Sequence, residues 1–149
     1  MHTVIGFKER RYIEELRILT KSVAIDCIVD DGFDRIIYVV KKGDMGLAIG
    51  KNGDNIRRMQ KVLGKRIEMV EEGDSLFEFV RNILRPIEVL EIKDGSESGM
   101  IRIVIKKKRD LGIAIGKGGS NAEKIRLLCR RMYNAEVVDI VAELSLIHI

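Results

Sequence analysis

The sequence predicts an α+β protein built from two copies of one small domain, residues 1–72 and 73–149, each with three helices and three strands. Three observations carry this reading. The pentapeptide Ile-Gly-Lys-Xxx-Gly occurs twice, as Ile49-Gly50-Lys51-Asn52-Gly53 and as Ile115-Gly116-Lys117-Gly118-Gly119. Each copy closes a longer matching frame, Asp44-Met45-Gly46-Leu47-Ala48 in one and Asp110-Leu111-Gly112-Ile113-Ala114 in the other. Around both copies the apolar periodicity changes between helical and strand-like spacing in the same order.

In the first copy, residues 9–20 place Tyr12, Leu16 and Leu19 at helical spacing with charges between them. Residues 23–29 read as a strand in which Val23, Ile25, Cys27 and Val29 alternate toward one face, and Asp30-Asp31-Gly32 makes a turn. Residues 35–42 form a second strand, rich in β-branched and aromatic side chains. Asp44 is placed to cap a short helix over 45–49, which Gly50–Gly53 breaks. A further helix starts at Asp54, turns Ile56, Met59 and Leu63 inward and stops at Gly64, before a last strand over 66–71.

The second copy repeats the order. Ser75-Leu76-Phe77-Glu78 is a capping box opening a helix lined by Phe77, Val80 and Leu84 and stopped by Pro86. Strands are expected over 87–93 and 100–107, joined by a turn at Gly95-Ser96-Glu97-Ser98-Gly99. Asp110 caps the next short helix, and Gly116–Gly119 breaks it. A helix over 120–132 carries Ile125, Leu128, Cys129 and Met132, and a strand over 137–141 closes the copy. The apolar tail 144–149 has no place in this scheme.

Composition narrows the class. Hydrophobic residues make up 46% of the 149, enough for globular folding. Domains of about 70 residues lie near the lower limit for burying a core unaided, so an extensive interface between the halves is expected. The net charge of +4 divides evenly: 14 Lys/Arg against 12 Asp/Glu in 1–72, and 13 against 11 in 73–149. That mild excess does not by itself mark a nucleic-acid binder; the placement of the charges has to do so. Cys27 and Cys129 read as buried free thiols, in keeping with a reducing compartment. His2 and His148 sit at the termini, so neither a zinc site nor a catalytic histidine is expected. No signal peptide and no membrane span is recognisable, which predicts a soluble, cytoplasmic protein without a membrane partner. No cofactor, no metal and no enzymatic activity are expected.

The functional expectation rests on the two loops. Where two helices meet at a tight break, unpaired N–H groups open the second helix and, with its dipole, favour a phosphate. Glycine at both ends permits positive φ and close approach of a ligand. Lys51 and Lys117 add a mobile cation at the same spot. A P-loop is excluded, because Gly46–Gly50 is one residue too short and Asn52 or Gly118, not Ser or Thr, follows the lysine. A Rossmann fingerprint is excluded because neither loop has its glycine spacing. Further cations flank the loops: Lys41, Lys42 and the run Lys106–Arg109 before them, Arg57 and Arg58 after the first, Lys124 and Arg126 after the second. Together they make a stripe suited to a sugar–phosphate backbone. Asp54 and Glu123 read as helix-start residues. Asn55 and Asn121, at equivalent positions, are candidates for contact with a base or sugar, with capping as the alternative. Aromatics are few and mostly core-facing, so bases are expected in an apolar groove flanked by Ile49, Ile56 and Ile67, or by Ile115 and Val137.

These loops, in this order of elements, resemble KH domains of the prokaryotic type, in which an extra helix and strand precede the core. The resemblance implies two tandem KH domains, each a three-stranded mixed sheet covered by three helices. Two such domains together, with Asp26–Asp31 and Gly43–Lys51 as further matching segments, resemble the short NusA-like transcription factors of archaea. Longer bacterial relatives add an N-terminal polymerase-binding domain and an S1 domain, which this sequence does not show. The resemblance implies a rigid pair forming one RNA surface, single-stranded RNA as partner, and a role in transcription termination or antitermination with RNA polymerase. The RNA-contacting residues carried over are Gly50, Lys51, Asn52 and Gly53, with Gly116, Lys117, Gly118 and Gly119. The residue reading adds Asn55, Arg57, Arg58, Lys108, Asn121 and Lys124. Two other readings stay open: a protein-interaction adaptor docking on RNA polymerase, and a ribosome-associated KH protein.

Overall fold

In the computed structural model, residues 5–94 and 99–143 are described. Most of the expected turn at 95–99, both histidines and the tail 144–149 lie outside them. The chain divides between Gly73 and Asp74 into two compact units with the same order of elements.

The first unit runs α1 (Phe7–Thr20), β1 (Ala24–Asp30), β2 (Arg35–Val40), α2 (Met45–Ile49), α3 (Asp54–Leu63) and β3 (Arg66–Glu71). The sheet order is β1-β2-β3, antiparallel between β1 and β2 and parallel between β2 and β3, with Ile36 opposite Ile67 and Tyr38 opposite Met69. Its core joins Leu16, Cys27, Ile36, Tyr38, Val40, Ala48, Met59 and Ile67, with Tyr12, Leu19, Ile56 and Leu63 packed against them. The expected inward helix positions are therefore the ones that pack. The fully buried Tyr38 hydroxyl donates to the Tyr12 carbonyl at 2.8 Å, and burial pushes its phenol pKa up.

The phase expected for β1 is not the one adopted. Val23 is exposed and precedes the strand, while Ala24, Asp26, Cys27, Ile28 and Asp30 are all buried. A register shift between Ala24 and Asp26 breaks the alternation. Both faces of β2 are also buried, with Ile37 and Val39 as inaccessible as Ile36 and Tyr38, so alternation does not report the core side here. Asp30 does more than shape a turn. It accepts from Arg35 Nε at 2.8 Å across the hairpin, and the buried guanidinium also reaches Glu68 at 3.3 Å and lies 5.0 Å from the Phe33 ring centroid.

The second unit runs α4 (Leu76–Leu84), β4 (Val89–Asp94), β5 (Met100–Ile105), α5 (Leu111–Ile115), α6 (Ser120–Tyr133) and β6 (Glu136–Ala142). Its sheet, β4-β5-β6, has the same antiparallel and parallel pairs. Val80, Leu84, Ile101, Ile103, Ile105, Ala114, Ile125, Cys129 and Val137 form the core. Ser75 Oγ accepts from Glu78 N–H at 3.1 Å, as the capping box predicts. β4 starts two residues later than expected because the Ile87 N–H is spent on a turn to the Leu84 carbonyl at 2.9 Å. Both cysteines are buried free thiols, and burial pushes the Cys129 pKa up to about 12.

Candidate nucleic-acid interface

The loops between α2 and α3 and between α5 and α6 have the same backbone. Gly50 and Gly116 combine positive φ (77° and 80°) with extended ψ (171° and 165°), a region that only glycine occupies readily. Asn52 (φ 56°) and Gly118 (φ 64°) follow in the left-handed region, as do Gly53 (76°) and Gly119 (82°). Asn52 replaces glycine because asparagine tolerates that conformation. The Gly53 N–H donates to the Gly50 carbonyl at 3.1 Å, and Gly119 to Gly116 at 3.0 Å. Lys51, Asn52, Lys117 and Gly118 are exposed. The loops lead directly into α3 and α6; the opening amides, Asp54 N–H and Ser120 N–H, donate back to the Lys51 and Lys117 carbonyls, and the amides that follow have no carbonyl partner inside their own helix.

Asn55 and Asn121 each place their amide nitrogen within the loop. Asn55 Nδ2 donates to the Leu47 carbonyl at 2.7 Å, and Asn121 Nδ2 to the Ile113 carbonyl at 2.8 Å. Each amide ties the start of the longer helix to the last turn of the shorter one. These are the bonds that the capping reading calls for. The Asn55 side chain also sits where a Cβ on Gly50 would be, 2.7 Å away, and the Asn121 backbone nitrogen lies 2.8 Å from the corresponding position on Gly116. Asp44 does not cap α2 through its side chain. Its Oδ2 accepts from the Val23 N–H at 2.8 Å and pins the helix start to the entrance of β1.

The remaining expected residues are distributed unequally. Lys51, Arg57 and Arg58 line one open hollow of about 550 Å³ beside the first loop, together with Asp54, Asn55 and Lys61. Arg57 pairs with Asp54 at 2.5 Å, and its Nη1 lies 3.0 Å from where a Gly53 Cβ would stand. Lys61 was not among the sequence candidates. Its signal was its position three residues after Arg58 and four after Arg57, on the same helical face. In the second unit Lys124 is half-buried on α6, and Lys108 is exposed in the 3₁₀ turn Lys108–Asp110 that enters α5. Arg126 is bound to Glu123 at 3.0 Å. The expected apolar groove is smaller than the sequence suggested. Ile67 and Val137 belong to the cores and Ile56 is half-buried against its core, leaving Ile49 and Ile115 exposed beside the loops. Among the described residues no three His, Cys, Asp or Glu side chains gather to hold a metal ion, and no helix is long and apolar enough to cross a membrane.

Both units share the order α-β-β-α-α-β with a glycine-bounded break between the second and third helices. The KH domain family model matches residues 9–93, which takes in the first unit and reaches β4. The "Probable transcription termination protein NusA" of Halococcus morrhuae is 31% identical over 140 residues, covering 94% of this chain and 99% of that protein. The protein of the same name from Methanococcus vannielii is 32% identical, covering 85% of this chain and 72% of its own length. The crystal structure of APE1850 superposes with a TM-score of 0.81 at 35% identity, covering 93% of this chain and all of that one. The chain belongs to the KH domain family and, within it, to the short NusA-like proteins of archaeal type.

Proposed function

We propose that this chain is a transcription termination factor that binds single-stranded RNA through both Gly-x-x-Gly loops, each unit acting as one KH domain. The observation that carries the proposal is the repeated loop: two glycine-bounded turns with matching positive-φ backbones, each exposing a lysine and opening the N-terminus of a helix of ten or more residues. Such a turn lets phosphates approach the backbone amides, and KH domains clamp about four nucleotides against a loop of this kind. Gly50, Lys51, Asn52 and Gly53, with Gly116, Lys117, Gly118 and Gly119, make that contact. Arg57, Arg58, Lys108 and Lys124 add positive charge beside the loops for the sugar–phosphate backbone. Asn55 and Asn121 hold the loops in shape. The action is binding without catalysis, in the cytoplasm. The place in termination follows from the relatives' names, with RNA polymerase as the second partner.

The test is fluorescence anisotropy with labelled single-stranded RNA, comparing wild type with a variant carrying Lys51→Asp, Asn52→Asp, Lys117→Asp and Gly118→Asp, its fold checked by circular dichroism. Salt-sensitive binding that the folded variant loses supports the proposal. Equal binding by both proteins, or none by wild type, refutes it.

A further inference from the structure

The two units differ beside their loops in a way that repeat symmetry does not require. The hollow at the first loop is lined by four cations, Lys51, Arg57, Arg58 and Lys61, against one carboxylate, Asp54. Moving each position on by the 66 residues that separate Gly50 from Gly116 gives Lys117, Glu123, Lys124 and Leu127, with Ser120 in place of Asp54. There two cations face one carboxylate, and Glu123 engages the neighbouring Arg126. Among the described residues Lys51, Arg58 and Lys61 make no ion pair, and all three are exposed. The Arg57–Asp54 pair is also exposed, where ion pairs are weak and readily exchanged for another anion. In the first unit the cations thus extend from the loop along α3 by two helical turns, and the facing wall is open to solvent. A flexible polyanion, with a negative charge at every nucleotide, fits that line of charge better than a compact anion.

We infer that the α3 hollow is a phosphate subsite, present in the first unit and missing from the second, that holds the phosphodiesters of the nucleotides adjoining those gripped by Gly50–Gly53. This rests on the proposal that the loops bind RNA. Lys61 and Arg58 are its principal contacts, and Arg57 bridges the subsite to the loop. The first unit accordingly draws salt-dependent affinity from α3 that the equivalent positions of α6 do not supply.

The test measures RNA affinity against salt concentration for the full chain, the fourfold loop variant and three further variants. Arg58→Gln with Lys61→Gln removes two phosphate contacts. At about 0.7 in the log–log slope per contact, the salt dependence drops by about 1.4 and affinity at 0.1 M salt falls by about 25-fold. Lys124→Gln, at the site equivalent to Arg58, lowers the slope by less than half as much. Glu123→Arg, which installs the cation found at Arg57, raises affinity. The inference is overturned if Arg58→Gln with Lys61→Gln leaves the slope at the wild-type value while the fourfold loop variant abolishes binding. That result leaves the loop proposal standing. Absence of binding by wild type at every salt concentration overturns both.

Discussion

Replacing Gly50 with alanine probes how the loop is built. Gly50 has φ 77° and ψ 171°, a conformation that costs a non-glycine residue about 1–3 kcal/mol. The new methyl also lands 2.7 Å from Asn55 Cγ and 2.8 Å from Nδ2, closer than any real Cβ contact. The Asn55 amide has to leave, breaking its 2.7 Å bond to the Leu47 carbonyl. That bond is partly solvated, so its loss adds about 1 kcal/mol. The total, about 2–4 kcal/mol, is a large part of the about 3.5–10 kcal/mol available to a domain of about 70 residues. Urea denaturation of the full chain, followed by circular dichroism, measures it. Gly46→Ala is the matched control: it is helical, without a positive φ, and nothing lies within 4 Å of an added Cβ. That substitution stabilises by up to about 1 kcal/mol, the helix-propensity difference. A loss below about 1 kcal/mol for Gly50→Ala, or no difference between the two variants, refutes the account of the loop.

Asn55→Ala and Asn121→Ala each remove one donor, and each should cost about 0.5–1.5 kcal/mol in denaturant titrations, additively because the two bonds lie in separate units. Arg35→Met strands the buried Asp30 carboxylate and should destabilise by about 3–5 kcal/mol in the same assay; Ile101, at the equivalent position of the second unit, has no such role. Cys129 titrates at about 12 in the folded chain against an ordinary value of 9.0, so folding favours its neutral thiol. The associated stability is fully present below pH 9 and is lost as pH rises toward 12, at a rate of up to about 1.4 kcal/mol per pH unit. Unfolding curves between pH 8 and 10.5 should therefore show a steeper decline for wild type than for Cys129→Ala.

Elements whose apolar spacing was strong are those the structure repeats most closely. The helices carrying Tyr12, Leu16 and Leu19 and carrying Ile56, Met59 and Leu63 pack those side chains on the core, with Leu16 and Met59 fully buried, because one core lies on one face. β1 departs from its expected phase for the complementary reason. With a register shift at its start and burial on both faces of the neighbouring β2, alternation carried no information about the core side. The glycines marked the loops, but the roles of Asn55 and Asp44 were not legible. Asn55 bonds a backbone group 8 residues away, within reach only once the positive-φ loop has folded the chain back, and Asp44 one 21 residues away, within reach only once β1 and β2 have paired. Lys61 is legible in the sequence, since its helical spacing from Arg57 and Arg58 places it on their face. The pairing of Asp54 with Arg57 also follows from i,i+3 spacing, whereas the approach of Arg57 to Gly53 needed the turn geometry.

The most direct measurement is the anisotropy titration of single-stranded RNA against wild type and the folded fourfold loop variant at two salt concentrations. The account predicts wild-type binding that weakens as salt rises and disappears in the variant. Binding that survives the four aspartates, or a wild type that binds no single-stranded RNA, contradicts it and turns attention to a protein partner.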